Sequence, residues 1–212
     1  MKQMAAIRWV VALKEEAAPI RKYYNMLSVE EGGTYPVFKD KAGKHWLVNS
    51  GVGKINAAAA TVYLDQISDA PPWTAWINLG IAGHRNSDYG KLYQIDKIIE
   101  KSTNHTWYPA PAISSSIDRQ SLYTVDHPEN TYFGDNLFDM EGSSFFQISS
   151  KLSCQQLILI LKIVSDGPEF NVKKLTKNKI RNLIATNLEQ ICSTITNMEN
   201  LSQTESHSLN LP

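Results

Sequence analysis

The chain has 212 residues, 42% of them hydrophobic, and its 21 basic residues balance 21 acidic ones at a net charge of zero. This length supports one ordinary domain with a large core, and the balanced charge leaves no electrostatic footprint for nucleic acid or an anionic membrane. Cys154 and Cys192 form no CxxC pattern, no apolar run approaches the roughly 18–20 residues of a membrane span, and the first residues lack a signal-peptide pattern. The expected setting is reduced and cytoplasmic.

In chain order, AAIRWVVAL (residues 5–13) is an apolar, β-branched run of strand length, and EEAAPIRKYYNML behind it has helical composition. TYPVFKDKAGKHWLVNSG predicts a hairpin turning at Asp40-Lys41-Ala42-Gly43 and ending at Gly51. KINAAAATVYLDQI is the clearest helix, because alanine dominates it. TAWINLGIAG and KLYQIDKIIEKS are strands, residues 103–116 a loop, and SLYTVD a short strand. FDMEGSSFFQISSKL predicts a helix with Phe138, Glu141, Phe145 and Ile148 on one face. Glu141 then faces a core with no cation in a neighbouring turn. LILILKIVSD reads as a strand buried on both faces, and residues 173–198 as one long amphipathic helix. The polar residues 199–212 are expected to have no fixed structure.

Strands alternating with helices predict a three-layer α/β/α sandwich over a mixed, mostly parallel central sheet, in which ligands collect at the carboxyl ends of the strands. That rim receives Glu15 and Glu16, Ser50-Gly51-Val52-Gly53, Gly80-Ile81-Ala82-Gly83 and Ser165-Asp166-Gly167. SGVGK fails as a phosphate loop: Val48 stands where the first glycine belongs and Ile55 where Ser or Thr follows the lysine. GVGKIN lacks the third glycine of a dinucleotide fingerprint, so its glycines either let a strand turn closely into a helix or face a ligand. His84, His105 and His127 have no metal-ligand spacing, and no GxSxG marks a serine hydrolase. Glu15 and Glu16 also suit a helix first turn, and Asp166 a turn before Gly167-Pro168.

In order, ALKEE (12–16), SGVGKINAAAAT (50–61), INLGIAG (77–83), FDMEG (138–142) and IVSDG (163–167) resemble the purine nucleoside phosphorylase and nucleosidase superfamily. Within it the look is nearest to 5′-methylthioadenosine/S-adenosylhomocysteine nucleosidase and hydrolytic relatives such as futalosine hydrolase. The resemblance implies a nucleoside phosphorylase-like domain over residues 1–198, assembled as a homodimer or larger homo-oligomer, with a nucleoside substrate and no cofactor or metal. It implies that Glu16 positions and activates water, that Met140 packs on a ribose and Glu141 accepts its hydroxyls, and that Asp166, steadied by Ser165, protonates or hydrogen-bonds N7 of a purine. Ser50, Gly51, Ile81, Ala82 and Gly83 complete the expected substrate contacts.

Cleavage of an N-glycosidic bond explains why several carboxylates are wanted: the sugar gains positive charge while the departing base gains electron density that a proton must neutralise. Water is the expected nucleophile, since acids occupy the first turn and Ile81 stands where phosphate-using relatives carry a hydroxyl. Phosphorolysis, with Lys14, Arg21 or Arg85 reaching in, and noncatalytic nucleoside binding are the alternatives. The interval between Gly83 and Asp139 is short for a nucleosidase, and residues 124–130 are expected to replace the lost base-side wall, with Asp126 or His127 reaching the base.

Overall fold

A computed structural model describes residues 4–29, 33–85, 89–128, 134–168 and 175–208. The chain opens with strand β1 (Ile7–Val11) and helix α1 (Lys14–Tyr23), followed by β2 (Leu27–Ser28), β3 (Val37–Lys39) and β4 (His45–Asn49). Helix α2 (Lys54–Ile67) leads to the long strands β5 (Ala75–His84) and β6 (Leu92–Glu100). Next come β7 (Thr106–Trp107), β8 (Arg119–Thr124), β9 (Leu137–Asp139) and helix α3 (Gly142–Leu152). Strand β10 (Ile158–Asp166) and helices α4 (Lys177–Thr186) and α5 (Leu188–Ser208) complete the order.

The sheet is mixed. Parallel pairings join β1 to β4 and β5, β5 to β10, β6 to β8 and β8 to β9. Antiparallel ones join β2 to β3, β3 to β4, β5 to β9, β6 to β7 and β6 to β10. Because β5 pairs with both β9 and β10, the strands β5, β10, β6, β8 and β9 close on themselves. Gly83 is the joint: it stands opposite Phe138 of β9 and opposite Asp166 of β10.

Alternation along the strands sends successive side chains into two apolar clusters. Trp9, Ile77 and Leu161 pack with Ile20 of α1, Ile184 of α4 and Ile195 of α5. Val10, Trp76 and Ile160 pack with Ala60 and Leu64 of α2 and Phe145 and Phe146 of α3. Fully burying such a side chain contributes about 1.5–3 kcal/mol.

Several expectations are corrected. The first helix stops at Tyr23, where Asn25 takes a positive φ of 50°, and Leu27 is in a strand. The loop at 103–116 contains β7, which pairs with the end of β6. Phe138 and Asp139 belong to β9, so Glu141 is the residue capping α3 and not a member of its face. The helix expected over 173–198 is two helices, broken at Asn187, whose Nδ2 donates to Gly90 O and Leu183 O, both at 2.9 Å. The polar tail is ordered as far as Ser208, because Ser202 and Ser206 are buried and Glu199 is ion-paired; residues 209–212 lie outside the described residues.

Candidate active site

Glu16, Glu141 and Asp166 line one cavity of about 180 Å³ at the carboxyl ends of β1, β5 and β10, shared with Ile81, Ala82, Gly83, Met140 and Ser165. Its remaining wall is mostly apolar, from Val52, Val125, Pro128 and Phe138. Ser50 and Gly51 stand outside it: Ser50 Oγ donates to Gly51 O at 2.8 Å, and Gly51 and Gly53 take φ of 81° and 104°, turning the chain from β4 into α2. Among the described residues none that lines the cavity is basic. Lys14 and Arg85 are exposed, and the Arg21 guanidinium lies 3.4 Å over the Phe38 ring.

Each acid is placed by its element. Glu16 sits at the third position of α1, and its Oε2 accepts from Leu13 N at 2.8 Å, satisfying a free helix donor. Its Oε1 accepts from Ile81 N at 2.9 Å, which fastens α1 to the end of β5. Glu15, beside it, turns outward to Lys177, 3.9 Å away. Glu141 precedes α3, and its Oε1 accepts from Gly53 N at 2.7 Å, so one carboxylate ties the starts of α2 and α3 together. Asp166 ends β10, with Ser165 Oγ donating to its Oδ1 at 2.6 Å.

Behind these acids lies a buried cation that no local sequence pattern marks as part of the site. Lys162 of β10 is fully buried, and its Nζ is 2.8 Å from Asp139 Oδ2. Asp139 also accepts from Gly142 N at 2.7 Å and from Thr124 Oγ1 at 2.8 Å, and so holds the start of α3. A Cβ built on Gly80 would lie 3.2 Å from Glu16 Oε1 and 3.5 Å from Lys162 Nζ, so the two side chains share the space above that glycine. A lone lysine inside an apolar run was the available signal, since ammonium groups are almost never buried unpaired.

This grouping sets the charges. Burial pushes the Glu16 carboxyl up to about 7; the N–H groups of Ile81 and Leu13 pull against that shift, Glu141 adds to it and Lys162 opposes it. Glu141 is likewise raised, first by burial and then by Asp139, with Lys162 and the N–H groups of Gly53 and Met140 opposing. For Lys162, desolvation works against the charge, but Asp139, Glu141 and Glu16 together outweigh it and raise its pKa.

Two expectations for the base-side wall are corrected. Asp126 does not reach the cavity, because its carboxylate is 2.7 Å from Lys54 Nζ, and His127 is exposed; Val125 and Pro128 supply that wall instead. His84 stays outside the cavity, with its Nε2 3.1 Å from Asp135 Oδ1.

No protein-family model matches the sequence, and no curated protein matches it. Solved structures do. The 5′-methylthioadenosine nucleosidase of Arabidopsis thaliana superposes with a TM-score of 0.75 at 16% identity, covering 94% of this chain and 99% of its own. The 5′-methylthioadenosine/S-adenosylhomocysteine nucleosidase of Colwellia psychrerythraea, in complex with adenine, gives 0.70 at 18%, covering 95% and 96%. A futalosine hydrolase mutant of Helicobacter pylori gives 0.68 at 15%, covering 91% and 99%. The chain therefore has the fold of these nucleosidases.

Proposed function

We propose that the chain is a nucleosidase that hydrolyses the N-glycosidic bond of a purine nucleoside or 5′-modified adenosine to free base and a ribose derivative. The observation that carries this reading is the meeting of Glu16, Glu141 and Asp166, remote in sequence, around one cavity. The fold shared with nucleosidases favours it, and the adenine held by the Colwellia protein favours a purine.

In this reading Asp166 delivers the proton that the departing base requires, and Ser165 fixes its carboxyl. Glu141 accepts the ribose hydroxyls; a carboxylate has about four acceptor sites, so its bond to Gly53 leaves capacity for a sugar. Its charge also favours the cationic character that the sugar ring develops. Glu16, held by two N–H groups, orients and deprotonates water. Met140 packs on the sugar. Val125, Pro128 and Phe138 flank the base, while the backbone of Ile81, Ala82 and Gly83 borders its edge.

Water is favoured over phosphate because Glu16, Asp139 and Glu141 are acidic and no described lining residue is basic. Lys162 offsets one of these charges, and its partner is Asp139. A phosphate dianion meets uncompensated repulsion there.

The two apolar clusters support a three-layer arrangement, with α1, α4 and α5 on one face and α2 and α3 on the other. A second copy of the chain is part of the reading. Between Lys54 and Asp65 helix α2 carries no charge, yet Ile55 is 86% exposed and Val62 44%. The cavity is smaller than the roughly 300–1,000 Å³ of sites that enclose drug-sized ligands, and one of its lining residues, Val52, is 46% exposed and just precedes that helix.

The test is a panel of nucleosides with and without phosphate, read as release of free base. Release independent of phosphate is the expected result, and Asp166→Asn is expected to lower it by about 10²–10⁴ while nucleoside binding persists. Phosphate dependence with ribose 1-phosphate as product, or saturable binding without cleavage, overturns the hydrolase reading.

A further inference from the structure

Lys54 opens α2 directly after Gly53, the residue whose N–H holds Glu141. Its Nζ is 2.7 Å from Glu100 Oε1 and 2.7 Å from Asp126 Oδ1. The two ends of this bridge differ. Glu100 is buried at the end of β6 and already saturated: its Oε2 accepts from Ser143 Oγ at 2.6 Å, and its Oε1 from Ser102 N at 3.3 Å and Ser102 Oγ at 2.8 Å. Asp126 is 55% exposed and stands in segment 125–128, whose Val125 and Pro128 are cavity wall. On its inner side the segment is tied by Val125 N donating to Asp139 O at 2.8 Å.

An ion pair with one exposed partner contributes little to global stability. This one joins a fixed base, shared by β6 and the first turn of α3, to the wall of the cavity. Burial works against the charge of Lys54, but the bonds from Asp126 and Glu100 outweigh it and raise its pKa, so the ammonium stays charged across the neutral range.

We propose that Lys54 is a positioning residue for substrate: by bridging Glu100 and Asp126 it holds segment 125–128 as a fixed wall against the bound nucleoside. The kinetic part of this rests on the nucleosidase reading; the structural part does not. It ties the start of α2 to two functions at once, since Gly53 orients the acid at the sugar and Lys54 the wall at the base.

The test uses the full chain with Asp126→Asn and Lys54→Met, each beside its conservative counterpart, Asp126→Glu and Lys54→Arg. Two quantities are read: amide hydrogen exchange at Val125, and KM and kcat on the nucleoside that the wild type cleaves. Asp126→Asn is expected to speed exchange about fivefold and to raise KM about fivefold, with kcat within about twofold. The conservative variants are expected to stay near wild type in both. Unchanged exchange in Asp126→Asn, or faster exchange with an unmoved KM, overturns the proposal. If the wild type cleaves no nucleoside, the hydrolase reading fails by itself, and the exchange of Asp126→Asn against wild type still decides whether the bridge holds the wall.

Discussion

Lys162 Nζ lies 2.8 Å from Asp139 Oδ2, with 1% and 0% of the two side chains exposed, and the carboxylates of Glu16 and Glu141 add to the field that keeps the ammonium charged. The pair is thus the electrical centre of the candidate site. Lys162→Met leaves Asp139 buried without its cation, and loss of one partner of a buried pair costs about 3–5 kcal/mol. Urea unfolding measures this. Adding Asp139→Asn to Lys162→Met removes the stranded charge while keeping an acceptor for Gly142 N, and is expected to recover part of the loss. A single variant as stable as the wild type refutes the assignment.

Glu16 predicts opposite pH responses in activity and stability. As the base it must be ionised, so Glu16 contributes a limb along which the rate of base release rises with pH up to about 7, while the need for a protonated Asp166 limits the rate on the alkaline side. An unfolded glutamate titrates near 4.5, so between about 4.5 and 7 the folded chain holds a proton that the unfolded chain has released. Its contribution to stability is present in full below about 4.5 and is lost as pH rises through about 7. Glu16→Gln is expected to remove both steps and to lower activity by about 10²–10⁴. A rate profile flat between pH 6 and pH 8 in the wild type removes Glu16 from the role of base.

Gly80 supplies a finer probe. In a strand interior alanine is ordinarily better than glycine by about 0.5–1 kcal/mol. Here the added methyl group meets Glu16 Oε1 at 3.2 Å and Lys162 Nζ at 3.5 Å, so the carboxylate must give way from its bond to Ile81 N. The backbone gain and the steric cost oppose each other. Gly80→Ala is therefore expected to change stability by no more than about 1–2 kcal/mol while lowering activity at least about tenfold. Full activity in this variant shows that the position of Glu16 is not critical.

What the sequence made legible follows the range of the forces involved. Helix α2 matches its predicted bounds because alanine favours helix without help from neighbours. Glu141 stands out in the sequence for its lack of a local counter-charge, but the helical face that spacing suggests for it is not its setting, since it precedes α3. The helical spacing of Phe138 is fortuitous, since pairing with Gly83 takes it into a strand. Lys162 is hidden within an apolar run, because its partner, Asp139, is distant in sequence. The break at Asn187 depends on Gly90 in the same way. Residues 199–208 read as a solvated tail because polar residues dominate them, while burial of Ser202 depends on Ala6 and Trp73.

Those last residues carry a prediction of their own. Glu199 of α5 reaches Lys44 Nζ at 2.7 Å and His45 Nε2 at 2.8 Å. Trp9 Nε1 donates to His45 Nδ1 at 3.3 Å, which leaves Nε2 to carry the ring proton and donate it to Glu199. Burial works to raise the Glu199 carboxyl, but the bonds from His45 and Lys44 outweigh it and hold the pKa below its ordinary value. Stability from this contact is present above the unfolded carboxylate value and is lost as pH falls through the lowered one. Glu199→Gln is expected to cost about 1–2 kcal/mol at pH 7 and nothing measurable in acid, where both chains carry a neutral group. Truncation after Met198 is expected to cost more, since it also removes Ser202, which accepts from Ala6 N at 3.0 Å and donates to Trp73 O at 2.8 Å. Urea unfolding of both variants at neutral and acid pH checks this. If the truncated chain matches the wild type, the end of α5 is an ornament on the sheet and not one of its fastenings.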